Sequence, residues 1–80
     1  MMKFALYKHV ALAVDIPGHR LKRGDIATVV EYLPGNNGEP GYALEVFNTL
    51  GETIDVLTVA ESELEPLQAD EIWHARHLVA

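Results

Sequence analysis

The sequence has no cysteine, one serine and one tryptophan among its 80 residues. Without cysteine it forms neither a disulfide nor a thiolate metal site, and the redox state of its compartment is left open. Its one serine, Ser62, lies in a predicted turn, so no Ser/His/Asp catalytic set can be assembled. The glycines of residues 35–41 match no phosphate-binding loop. We therefore predict a protein that is not an enzyme and needs no cofactor.

Long apolar runs are also missing, since no stretch approaches the roughly 20 residues that a membrane helix needs. Residues 1–14 lack a small-residue cleavage site, so no signal peptide is predicted. The length allows one domain, and a hydrophobic content of 49% is enough for a core and too high for a disordered chain. We expect a soluble domain in the cytoplasm.

Basic residues are few and unevenly placed. Six Lys and Arg oppose twelve Asp and Glu, for a net charge of −6. Residues 1–24 carry +4, whereas residues 25–80 carry eleven acids against Arg76 alone. Because nonspecific nucleic-acid binding depends on clustered Lys and Arg, the acidic body disfavours it.

Turn-forming residues divide the chain into segments of strand length. Turns are predicted at Pro17-Gly18, at Asn37-Gly38 and at Gly51, and a Lys/Arg-Gly-Asp turn over residues 22–25 precedes a β-branched run. The intervening segments predict strands at residues 10–14, 25–33, 42–47, 53–59 and 65–67, with a helical turn at 60–64.

This order predicts an all-β domain over residues 1–67, a small SH3-like antiparallel barrel of about five strands. In the third strand, Tyr42, Leu44 and Val46 share one face, with Glu45 opposite.

The remaining residues, 68–80, predict a short C-terminal helix. Asp70 can cap it, and Ile72 and Val79 fall on one apolar stripe. About ten residues of helix are marginal in water, so the tail is expected to dock and to bury Trp73. Docking on its own barrel and docking on another chain, which would give a homo-oligomer, both remain open.

Several sequence pieces between residues 10 and 67 occur in a characteristic order. They are Val10-Ala11-Leu12 with Asp15-Ile16-Pro17, Leu21-Lys22-Arg23-Gly24-Asp25, Thr28-Val29-Val30, Tyr42-Ala43-Leu44-Glu45-Val46, and Leu57-Thr58-Val59 with Glu61, Leu64, Pro66 and Leu67. In this arrangement they resemble a small bacterial family, domain of unknown function 4926. The family pattern has Gly at the position of Ala27 and does not extend over the tail. The resemblance implies an SH3-like barrel without activity, and some members look like the small partner of a toxin-like protein.

The predicted binding surface is acidic and surrounds the closing turn. We expect its carboxylates to face a basic protein, with an apolar anchor supplied by Leu64, Ile72 or Trp73. The acids of this surface are Glu61, Glu63, Glu65, Asp70 and Glu71. If the partner is a nuclease-like toxin, such a surface would cover the region that nucleic acid needs, as an antitoxin or immunity protein does.

The alternative function is a KOW-type nucleic-acid module that uses the basic loop 19–24. Its cations would be Lys8, Arg20, Lys22 and Arg23.

Metal binding by the tail is a weaker candidate. His74 and His77 lie three residues apart on the predicted helix, and Glu71 could serve as a third ligand. The competing interpretation is that both are surface histidines near a helix C-terminus, and we predict no metal site.

Overall fold

The computed structural model describes residues 2–35 and 38–78. Its five strands pair antiparallel in one sheet, in the spatial order β4-β3-β2-β1-β5. They are β1 His9–Leu12, β2 Ile26–Leu33, β3 Gly41–Phe47, β4 Thr53–Ala60 and β5 Leu64–Glu65. The predicted all-β class and five-stranded antiparallel sheet are therefore confirmed.

The sheet does not close on itself. Among the described strands, β4 pairs with β3 alone and β5 pairs with β1 alone, so these two strands are the edges. Because β5 is two residues long, it offers too little backbone to bridge to β4. The prediction of a closed barrel is wrong in this respect.

Local turn chemistry positions the strands as the sequence predicts. Gly24 and Gly51 adopt φ values of +91° and +82°, a region that glycine enters without steric cost. An Asp25 carboxylate oxygen accepts the Lys22 N–H at 2.8 Å and so closes the turn before β2. The helical turn predicted at residues 60–64 is present as a 3-10 turn at Glu61–Glu63, and a second 3-10 turn occupies Pro17–His19. The predicted turn at Asn37 lies outside the described residues.

The core lies on one face of the sheet. In β3 the alternation is as predicted, because Tyr42, Leu44 and Val46 are buried. Residues 10–12 of β1 are buried as well, and Val10 and Leu12 belong to this core. The other large members of the core are Phe4, Leu21, Val29, Leu57, Val59 and Leu64.

The C-terminal helix and the burial of Trp73 are both wrong. Residues 66–78 form no helix, and a turn at 69–70 is their only regular feature. Ile72 is 89% exposed and Trp73 69% exposed. A helix of this length is marginal in water unless its apolar face is buried, and these two side chains remain mostly exposed. Val79, which belonged to the predicted stripe, lies outside the described residues.

None of the described residues belongs to a helix that is both long enough and apolar enough to cross a membrane.

Candidate functional site

The first predicted binding residue, Glu61, is engaged within the fold. Its carboxylate accepts a hydrogen bond of 2.8 Å from the hydroxyl of Tyr42, a fully buried residue. The same hydroxyl accepts the backbone N–H groups of Lys3 and Phe4, at 2.9 and 3.3 Å. Burial raises the pKa of Tyr42, and the Glu61 carboxylate raises it further. Glu61 therefore helps to fix the N-terminal segment.

The neighbouring residues of the closing turn are also used internally. A Glu63 carboxylate oxygen accepts the Ala60 N–H at 2.8 Å, a capping contact. Ser62 donates its N–H and its hydroxyl to Glu39, at 2.9 and 2.7 Å. Leu64 is buried in the core and presents no surface to a partner. Glu65, the third predicted acid of this region, is half-buried on β5, an edge strand of the sheet.

The other two predicted anchors, Ile72 and Trp73, line a cleft between the tail and one end of the sheet. The cleft has a volume of about 860 Å³ and opens to solvent. Its large apolar residues are Leu21, Ile26, Phe47 and Ile54 on the sheet side, and Leu67, Ile72, Trp73 and Leu78 on the tail side. The structure thus combines the predicted tail anchors with sheet residues that sequence reasoning did not select.

An ion pair holds the tail in this position. The Arg76 guanidinium donates from Nε to Asp25 Oδ1 at 2.8 Å, from a second nitrogen to Asp25 Oδ2, and to the Arg20 carbonyl at 3.2 Å. Burial alone would raise the pKa of Asp25, but Arg76 and the Lys22 backbone N–H lower it below its usual value. Trp73 meets the His9 ring edge to face, with centroids 5.4 Å apart. The tail therefore docks on its own sheet.

A second exposed surface, the outer face of β3 and β4, adjoins the cleft at Phe47 and Ile54. These side chains are 42% and 43% exposed, and Val56 beside them is 58% exposed. Glu45 lies opposite Val56 on β3 and accepts the Thr53 hydroxyl at 2.9 Å. No Lys or Arg occurs in the sequence between residues 24 and 75. The outer face is consequently apolar and negatively charged.

Sequence comparison assigns the family. Residues 6–66 match the description "Domain of unknown function (DUF4926)". The chain belongs to this family. Searches of curated proteins and of solved structures gave no match. The DUF4926 segment contains the sheet side of the cleft and the whole outer face, whereas the tail side of the cleft follows it.

The basic loop of the DUF4926 segment exposes Arg20, Lys22 and Arg23. Two carboxylates lie against it, because the Lys22 N–H is donated to Asp25 and the Arg23 N–H to Asp15, each at 2.8 Å. These acids weaken the positive potential that phosphate binding requires.

The histidines of the tail, His74 and His77, are exposed and line the cleft. Glu71, their suggested co-ligand, accepts the Gln68 N–H through its carboxylate. Over residues 2–35 and 38–78, no three His, Cys, Asp or Glu side chains are arranged to hold a metal ion.

Proposed function

We propose that this DUF4926 protein is a non-catalytic, cytoplasmic interaction module that occupies a basic partner protein, in the manner of an antitoxin or immunity protein. The observation that carries the proposal is the coincidence of an apolar cleft with a sheet that has no positive charge. Soluble monomers seldom expose contiguous apolar patches unless these bind something.

Apolar and acidic side chains are expected to contribute differently to partner binding. Trp73 is large, exposed and lines the cleft, and large aromatic residues are typical of the few side chains that dominate binding energy. Exposed acids such as Glu31 are expected to speed association rather than to add much affinity.

The fold supports the finer assignment to the SH3-like class, which we also propose. The long loop after β1, the meander of β2, β3 and β4, and the 3-10 turn before β5 agree with that architecture. We also propose that the protein is bacterial, as the family resemblance implies.

The test uses a partner captured from the source cells and then purified. Association and dissociation rates are measured at two salt concentrations for wild type, Trp73→Ala and Glu31→Lys. Trp73→Ala should raise the dissociation constant about thirtyfold, which corresponds to a hot spot of about 2 kcal/mol. Glu31→Lys should slow association and flatten its salt dependence, with little effect on dissociation.

Glu31 is preferred to Glu61 and Glu63 for charge reversal, because the latter two accept hydrogen bonds within the fold. Tight binding of the wild type to DNA or RNA, with no protein partner, would favour the basic loop 19–24 instead. Unchanged rates in both variants would contradict the proposal.

A further inference from the structure

One edge of β4 is paired with no described strand. This strand runs for eight residues, Thr53–Ala60, and β3 is its one partner among the described strands. Exposed edges are commonly protected by Lys, Pro or a bulge. β4 contains no Lys, Pro or Gly, and its one register shift lies at its start, opposite Val46 and Phe47. From Asp55 to Ala60 the edge is regular.

Two hydrogen bonds at the end of β4 show which backbone groups face outward. Glu61 donates its N–H to the Pro40 carbonyl, just before β3, whereas Ala60 donates its N–H to the Glu63 side chain. In an antiparallel ladder, alternate residues direct their backbone groups to the same side. Val56 and Thr58 therefore point their N–H and carbonyl groups in the direction of Ala60, away from β3.

Charge around this edge favours a basic occupant. Asp55 lies on the strand itself, where His19 of the first loop meets its carboxylate at 2.6 Å. Glu45 lies one strand further in, beside Val56. A second copy of this chain would bring another net charge of −6 and the same acids to the edge.

We propose that β4 accepts an extended basic segment of the partner protein as a sixth strand. The inference rests on the proposed function and names the binding mode. The added strand would receive hydrogen bonds from the Val56 and Thr58 N–H groups. It would carry apolar residues on the face of Leu57 and Val59, and Lys or Arg on the opposite face, on the side of Glu45.

A synthetic peptide provides the first test. Acetylated peptides as long as β4, with Val and Lys alternating or with Val and Glu alternating, are added to the full chain. Amide exchange is followed by NMR. At saturation the Val/Lys peptide should slow exchange at Val56 and Thr58 by about tenfold or more, because exchange requires the new pairing to open. The Val/Glu peptide should have no such effect.

Variants then separate backbone pairing from side-chain contact. Thr58→Pro removes an outward N–H at an edge position that tolerates proline, whereas Thr58→Val keeps the N–H with the same loss of the hydroxyl. Thr58→Pro should abolish protection at Val56, and Thr58→Val should preserve it. N-methylation of alternate peptide residues repeats the test without changing the protein.

Three results would overturn strand addition. The first is that the Val/Lys peptide gives no protection, and the second is that Thr58→Pro and Thr58→Val bind it equally while N-methylation of the peptide does not weaken binding. The third is protection that increases with protein concentration in the absence of peptide. The third would assign the edge to a second copy. If the basic peptide binds but perturbs only the cleft, the interaction function stands and the sixth strand does not. Failure of Glu31→Lys and Trp73→Ala to alter partner binding would instead reject the function.

Discussion

The hydroxyl of Tyr42 is expected to be one of the most valuable polar groups of the fold, and Tyr42→Phe tests this. The hydroxyl donates to Glu61 and accepts the N–H groups of Lys3 and Phe4. A hydrogen bond to a charged group contributes about 1.5–3 kcal/mol, and the two N–H groups lose a shared acceptor. We expect a destabilisation of about 2–3 kcal/mol, which is a large fraction of the stability of a small domain.

Tyr32→Phe is the matched control. Tyr32 lies opposite Tyr42 in the β2–β3 ladder and packs on its ring, with centroids 5.4 Å apart, but its hydroxyl makes no hydrogen bond within the described chain. Thermal unfolding should show a Tm lower by roughly 10–20 °C for Tyr42→Phe and little change for Tyr32→Phe. Amide exchange at Phe4 should accelerate only in the former.

The pH dependence supplies an independent signature. Since the folded-state pKa of Tyr42 is raised, its stabilising contribution is complete below the unfolded value near 10 and is lost as the pH rises through the folded value. Wild type should therefore lose more stability above about pH 10 than Tyr42→Phe does. Equal melting temperatures for the two Phe variants, with unchanged exchange at Phe4, would refute the assigned role of the hydroxyl.

Three further predictions concern the tail and the loops. Arg76→Ala should raise the pKa of Asp25 toward its ordinary value. The pair stabilises the fold above about pH 4 and loses this effect as the pH falls below that value, so the variant should lack this stabilisation. An NMR titration of Asp25 that matches wild type would disprove the contact. Gly51→Ala should cost about 1 kcal/mol because of its positive φ, whereas Gly18→Ala, which has open space and no positive φ, should cost little; equal costs in chemical denaturation would contradict this. His19→Gln should cost no more than about 1 kcal/mol, because the contact of its ring with the Asp55 carboxylate is partly exposed to solvent, and a larger loss of stability in chemical denaturation would contradict this.

The strands and turns were predictable because their signals are local. Gly24 and Gly51 need positive φ, and the alternation around Leu44 fixes the buried face of β3, so each can be read within a few residues. The tail was not predictable in this way. Its position depends on Arg76 reaching Asp25, 51 residues earlier in the chain, and no periodic pattern records such a contact.

The residues of the candidate site also differ in whether a local sequence signal indicates their role. The acids at residues 61 and 63 look free in the sequence, yet one accepts a hydrogen bond from a hydroxyl 19 residues earlier in the chain and the other caps a 3-10 turn. The second contact had a local signal, since Glu63 stands at the third position of that turn. Ile54 and Val56 were missed because β4 is apolar on both faces, and only the pairing with β3 shows which face is covered.

The position of β1 between β2 and β5 has a consequence for the order in which the protein folds. β2, β3 and β4 are joined in sequence, so they can pair through short connections as soon as they have been synthesised. β1 pairs with β2 early, but its other edge waits for Leu64, which must return to Leu12 across most of the chain. A nascent chain that ends before this point therefore leaves β1, whose residues 10–12 are buried in the finished fold, with one unpaired edge, and β5 covers that edge only when its two residues have left the ribosome.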